Sequence, residues 1–133
     1  TSVTFYPEMK RFGMENLDSD IVSLMRKRVY DMAGLLSNVK VFLNDSQLEI
    51  NSFLKYVDMY FTNAEESIKI RDQALDNERW QVVVSLSDGE FRQVSFVNSI
   101  CTTKGGTHVN YITEQIVEKI QEKIVLKYHL MIF

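Results

Sequence analysis

The stretch Gln93-Val-Ser-Phe-Val-Asn-Ser-Ile-Cys-Thr-Thr-Lys-Gly-Gly-Thr-His108 runs from an alternating segment through a glycine pair into a helical pattern without a spare residue. Val94, Phe96 and Asn98 share one face of an extended run, with Ser95, Val97 and Ser99 on the other, which is the period of two of a strand. Gly105 and Gly106 break that strand, and Thr107 is expected as the N-cap of a helix. From Val109 the apolar residues Ile112, Ile116, Ile120 and Ile124 recur at helical spacing, widened by Val117, so this helix is expected from about His108 to Lys123. Strand, tight turn and helix must therefore pack closely, and glycine's backbone freedom is what permits the turn.

The rest of the chain fits around this unit. Residues 2 to 6 alternate as a short strand, ended by Pro7, which offers no amide to a ladder. Asp18 caps a helix to about Ala33, with Leu17, Ile21, Leu24, Met25 and Met32 as its apolar face and Gly34 at the expected left-handed C-terminal position. Val39 to Leu43, the turn Asn44-Asp45 and Gln47 to Ile50 read as a hairpin. Asn51 or Ser52 caps a second helix through Phe61, carrying Phe53, Leu54, Val57, Tyr60 and Phe61 toward a core. Beyond the polar link Thr62 to Ser67, the runs Ile68 to Leu75, Arg79 to Leu86 and Glu90 to Ile100, separated by Asp76-Asn77 and Asp88-Gly89, predict an antiparallel meander. A last apolar run after the long helix is read as a strand. The pattern is α+β, a two-layer sandwich with a mostly antiparallel sheet and helices on one face.

A chain of 133 residues fits one domain, and 45% hydrophobic composition suits a fold that buries a real core. A net charge of -3 argues against a free-standing nucleic-acid binder, so any DNA contact is expected to be local. Cys101 has no second cysteine to pair with, and no signal peptide or membrane-spanning run is apparent. The chain is expected to be soluble and intracellular, with no membrane partner. Its start at Thr1-Ser-Val-Thr4 and its apolar end at Leu130-Met-Ile-Phe133 lead to the expectation of a piece cut from a longer chain.

Nothing in the sequence assembles a catalytic set. Gly105-Gly106 before a helix start invites an anion-binding reading, but Lys104 precedes the glycines where a phosphate loop needs the lysine after them. His108 reads as a capping or packing residue, with no partner carboxylate identifiable. His108, His129 and Cys101 lack the paired short spacings of a zinc site. Trp80, Phe53, Tyr56, Tyr60 and Phe61 are expected in the core, and Cys101 is expected buried and inert. Arg26-Lys27-Arg28 spreads over roughly 200° of helix arc, a solvated edge before it is a DNA contact.

Read for family, S-F-V-N-S-I, a threonine and G-G-T-H resemble the signature of the transducer domain of type IIA DNA topoisomerases in its eukaryotic form, carried by Ser95, Phe96, Asn98, Gly105, Gly106, Thr107 and His108. Thr4-Phe-Tyr-Pro7 with Arg11-Phe-Gly-Met14, Leu17 to Met25 with Arg28-Val-Tyr-Asp31, Val39 to Asn44, Tyr56-Val-Asp-Met-Tyr60 and Arg79-Trp80 resemble the same domain in the same order. The resemblance implies the fold of the second domain of ribosomal protein S5, with a left-handed β-α-β crossover against the usual handedness. It implies a transducer domain over 1–133, made of a linker strand at 1–16, a helix-hairpin-helix at 17–62 and an S5-like core at 67–133 truncated at its C-terminus.

It further implies a role in coupling ATP binding and hydrolysis, and closure of an N-terminal dimer gate, to the passage of double-stranded DNA in a nuclear, homodimeric isomerase. In that family ATP and Mg2+ serve the full-length enzyme, ATP being held by a preceding GHKL-type ATPase domain. The transducer's own ATP-contacting lysine lies in a Q-T-K loop beyond the strand that resembles Lys127 to Phe133. No catalytic, cofactor-binding or metal-binding residue is therefore expected in this chain. A lysine-rich loop that faces DNA in related transducers is missing, since Glu122-Lys-Ile-Val-Leu126 runs straight into Lys127. The candidate DNA-facing residues are Lys123, Lys127, Arg26, Lys27 and Arg28. A MutL-type mismatch-repair ATPase shares the implied fold but lacks this signature, and an S5-like RNA-binding module is disfavoured by the acidic balance.

Overall fold

The computed structural model describes residues 1–63, 67–71, 79–87 and 89–129, the side chains of 125–129 excepted. The chain is α+β, with short antiparallel strand pairs and helices, and it divides into two compact units, Thr1–Leu86 and Ser87–Phe133.

In the first unit, residues 1–7 are exposed and carry no regular structure. The strand expected at 2–6 does not form: its residues are exposed and pair with no other strand among the described residues. A 3-10 turn, Met9–Phe12, comes next and closes at Gly13 with φ 68. Helix α1, Ser19–Leu35, starts where expected: the Asp18 carboxylate accepts from the amides of Asp20 at 3.0 Å and Ile21 at 2.9 Å. Its end differs. Gly34 is not a left-handed cap but a buried residue inside the helix, and a Cβ there would lie 2.6 Å from Cγ of Tyr56. Glycine stands at this position so that a second helix can come close.

Strands β1, Phe42–Leu43, and β2, Ser46–Gln47, pair antiparallel around Asn44 and Asp45, at φ 49 and 64. Two consecutive positive φ values are the mark of a type I′ hairpin, which Asn and Asp tolerate best after glycine. Ser52 rather than Asn51 caps α2, Phe53–Asp58, accepting from the Lys55 amide at 3.3 Å. The helix stops short of the expected Phe61. Strands β3, Lys69–Arg71, and β4, Val83–Ser85, pair antiparallel in the register Ile70 to Val84, as the meander predicts. The turn expected at Asp76-Asn77 lies outside the described residues.

The core of this unit is small. Among the described residues Ala33 and Tyr56 are its buried hydrophobic side chains, with Asp31 completely buried beside them. Leu17, Leu24 and Met25 on the expected apolar face of α1 are exposed, and so are Tyr60 and Trp80, which were expected inside. Ile21, Met32, Phe53, Leu54, Val57 and Phe61 are half-buried.

In the second unit the expected strand from Glu90 to Ile100 folds back on itself. Strands β5, Phe96–Val97, and β6, Ile100–Cys101, pair antiparallel about Asn98 and Ser99, at φ 49 and 64. Asn98 is therefore a turn residue and not part of an alternating face, since asparagine accepts the left-handed region that a strand forbids. Helix α3, Thr107–His129, is longer than expected. Lys127 to His129, read as the start of a closing strand, are helical, because no glycine or proline interrupts Glu122 to Lys127 and a helix once nucleated propagates. Residues 130–133, which would complete that strand, lie outside the described residues, so the handedness of the crossover is an expectation from the resemblance alone. The apolar stripe of α3 is half-buried at Val109, Ile112 and Ile116 and exposed at Val117, Ile120 and Ile124.

Candidate functional site

The signature residues meet at the start of α3. The Thr102 amide donates to the Ser95 carbonyl at 2.8 Å, and the Gly105 amide to the Thr102 carbonyl at 2.9 Å, which brings the end of β6 beside the helix. The Gly106 carbonyl accepts from the amides of Val109 at 3.0 Å and Asn110 at 3.2 Å. Gly106 is thus the N-cap and Thr107 the first helical residue, one position from the expected assignment. Gly105 has φ 72 and Gly106 φ 154, and a Cβ on Gly106 would lie 3.0 Å from Cε1 of His108. The pair is glycine for backbone and for space.

His108 turns back over this corner. Its Nε2 lies 3.1 Å from Thr102 Oγ1 and 3.3 Å from Ser95 Oγ, and the two hydroxyls also bond each other. Gln93 adds amide bonds from Nε2 to the carbonyls of Thr103 at 3.2 Å and Thr102 at 3.4 Å. Its Oε1 is buried without a partner among the described residues. A serine beside a histidine suggests nucleophilic chemistry, but that needs a third group to orient the imidazole. Here the ring's described partners are the two hydroxyls, with no carboxylate among them. The arrangement is a polar clamp between hairpin and helix. Phe96 is half-buried in β5 and Cys101, expected buried, is half-buried in β6.

A second constellation lies in the first unit and was not singled out from sequence. Asp31 Oδ1 accepts from Lys27 Nζ at 2.9 Å and from the Tyr56 hydroxyl at 2.7 Å, while Oδ2 accepts from Arg28 Nη1 at 3.0 Å. The Tyr56 and Tyr60 hydroxyls are 2.7 Å apart. Because Tyr56 spends its proton on the carboxylate, Tyr60 is the donor between them. Burial alone would raise the Asp31 carboxyl, but the bonds from Tyr56, Lys27 and Arg28 and the charge of Lys27 outweigh it and hold it below the usual 3.8. Burial first, and then the neighbouring Asp31 carboxylate, push the Tyr56 phenol well above its usual 10.0. The available signal was the spacing of Lys27 and Arg28 four and three residues before one aspartate.

The expected DNA-facing residues divide between the two units, Arg26, Lys27 and Arg28 in the first and Lys123 and Lys127 in the second. Arg26 and Lys123 are exposed, Lys27 and Arg28 are engaged by Asp31 though still 42% and 41% exposed, and the side chain of Lys127 lies outside the description. Among the described residues no group of three His, Cys, Asp or Glu could hold a metal ion, and no helix is long and apolar enough to cross a membrane. A cleft of about 170 Å³ lined by Leu35, Phe53, Leu54, Arg71 and Gln81 is smaller than the ~300 Å³ at which ligand pockets begin.

The sequence model described as DNA gyrase B matches residues 49–131. DNA topoisomerase 2 of Arabidopsis thaliana is 50% identical over 127 residues, covering 90% of this chain and 8% of its own length. DNA topoisomerase 2-beta of Gallus gallus is 47% identical over 131 residues, covering 96% of the chain and again 8% of its own. The chain thus spans under a tenth of the length of these two relatives. The crystal structure of the ATPase region of Saccharomyces cerevisiae topoisomerase II superposes with a TM-score of 0.78 at 49% identity, over 87% of this chain and 30% of that one. With its fold and most of its length accounted for, the chain belongs to the DNA gyrase B family, as a segment similar to part of the ATPase region of eukaryotic topoisomerase II.

Proposed function

We infer that the chain is the transducer segment of an ATP-dependent type II DNA topoisomerase. It couples ATP binding, hydrolysis and closure of the dimer gate to the passage of one duplex through another. The observation that carries this reading is the likeness to a topoisomerase II ATPase region over 87% of the chain. In this reading the segment transmits the consequence of nucleotide binding elsewhere, and rigid-body motion about hinges is the usual means. The division into 1–16, 17–62 and 67–133, the nuclear location, the homodimer and the preceding GHKL-type domain belong to the same reading. ATP and Mg2+ are assigned to that preceding domain, and duplex DNA is the substrate of the whole enzyme. Arg26, Lys27, Arg28, Lys123 and Lys127 are the residues proposed to meet DNA, with Lys27 and Arg28 sharing that role with Asp31.

The test is made on the full-length parent carrying Gly106→Val, a change at the hairpin-helix corner. ATP hydrolysis should persist while ATP-dependent strand passage falls. Strand passage at the parental rate per ATP hydrolysed would remove the coupling role.

A further inference from the structure

Arg26, Lys27 and Arg28 are consecutive on α1, but one carboxylate divides them. Helix geometry puts Lys27 and Arg28 within about 60° of Asp31 around the axis and Arg26 about 140° from it. Lys27 Nζ reaches both oxygens of Asp31, at 2.9 Å and 3.1 Å, and Arg28 Nη1 reaches Oδ2 at 3.0 Å. Arg26 stands exposed on its own side. The carboxylate is not able to follow its cations outward: its side chain has no exposure, and the Tyr56 hydroxyl, itself bonded to Tyr60, holds Oδ1 at 2.7 Å.

We propose that Asp31 withholds Lys27 and Arg28 from the DNA backbone and leaves Arg26 as the first contact of α1 with a phosphate, an inference that rests on the reading of α1 as a DNA-facing surface. A phosphate oxygen and a carboxylate oxygen compete for the same N–H donors. If the phosphate draws the two cations away, a buried charge is left with fewer partners, which is strongly unfavourable. If they stay, the carboxylate's negative charge remains beside the phosphate and repels it. Either way the three cations together hold DNA less tightly than their number suggests. A weak hold suits a duplex that has to move on during passage.

The experiment titrates the chain into a short fluorescent duplex at several salt concentrations, beginning low enough for binding to be measured by anisotropy. Asp31→Asn keeps an acceptor for Tyr56 and loses the charge. It should bind about tenfold more tightly at the lowest salt, and its slope of log K against log salt should steepen by roughly 1.8, two further phosphates at about 0.9 each. Adding Lys27→Gln and Arg28→Gln to that variant should remove the gain. Tyr56→Phe, which loosens the two helices but keeps the charge, should show no such gain, and circular dichroism checks that each variant is folded. A second readout needs no variant: in side-chain NMR of the parent, the Arg26 Nε–H signal should shift at a lower duplex concentration than that of Arg28. Parental affinity and slope in folded Asp31→Asn, an equal gain in Tyr56→Phe, or concurrent shifts of Arg26 and Arg28 each overturn the proposal. Arg26→Gln separates it from the reading beneath. If that variant binds duplex as the parent does, the DNA-facing surface falls and the proposal with it, whereas a loss there with no gain in Asp31→Asn keeps the surface and removes the role of Asp31.

Discussion

The hydroxyl of Tyr56 donates a 2.7 Å hydrogen bond to the carboxylate of Asp31, twenty-five positions earlier in the chain. That bond ties α2 to α1 at the place where both are most buried, and it joins a phenol to a carboxylate that water does not reach. Removing the donor leaves a buried acceptor with one bond fewer. Tyr56→Phe should lower stability by about 1.5–3 kcal/mol, the range for bonds to charged groups, measured by denaturant unfolding. A change within ~0.5 kcal/mol would mean that the carboxylate is satisfied by Lys27 and Arg28 alone.

The same pair sets two opposite pH dependences. The Asp31 carboxyl is lowered in the fold, so its contribution is complete above the usual 3.8 and is lost as pH falls through the lower folded value. The Tyr56 phenol is raised, so its contribution is complete below the usual 10.0 and is lost as pH rises above it. Denaturant midpoints followed across pH should fall at both extremes. Asp31→Asn should flatten the acid side, and Tyr56→Phe the alkaline side. If both variants keep the parent's curvature, other groups control the profile.

Gly34→Ala sets two effects against each other. Alanine favours a helix interior over glycine by about 1 kcal/mol, while the new Cβ would sit 2.6 Å from Tyr56 Cγ in a buried contact. Overpacking of this kind costs about 1–3 kcal/mol, so the clash wins and the melting temperature should fall. A rise would mean that α2 has room to move away from α1 at no cost.

Gly106→Val meets both a φ of 154 and the His108 ring at 3.0 Å. A strained backbone position costs on the order of 1–3 kcal/mol, and the displaced imidazole also loses Ser95 and Thr102. A lower melting temperature is expected, whereas Gly13→Ala, with φ 68 but open space around it, should cost only the backbone share, about 1 kcal/mol. Equal losses in the two variants would show that the contact with His108 contributes nothing.

DNA binding by the chain alone should be weak. With a net charge of -3, and with Lys27 and Arg28 bonded to Asp31, duplex affinity is expected at about 10⁻⁴ M or weaker near physiological salt. Fluorescence anisotropy at two salt concentrations measures it. Submicromolar binding with a steep salt slope would make the basic residues a DNA site in their own right.

The sequence by itself determined the features whose physics is local. Asp18 caps a helix, as does one of Asn51 and Ser52, because a short oxygen-bearing side chain reaches the next free amides, and the structure selects Ser52. Asn44-Asp45 makes a hairpin because those residues accept positive φ, and Gly105-Gly106 turns into α3 for the same reason. Family membership was legible too, since the signature from Ser95 to His108 is contiguous. Tertiary structure decided the rest. Gly34 looked like a helix end by its own chemistry and became a helix interior only because Tyr56 occupies the space a side chain would need. Asp31 stands in a segment that carries the family resemblance but has no chemical role legible in sequence, and its importance comes from a phenol brought to it by the fold. Asn98 continued an alternating pattern but had the backbone freedom to turn, and pairing with Ile100 and Cys101 selected the turn. The same limit explains the exposed Leu24, Met25 and Ile120: periodicity names an apolar face, but only a neighbouring surface buries it.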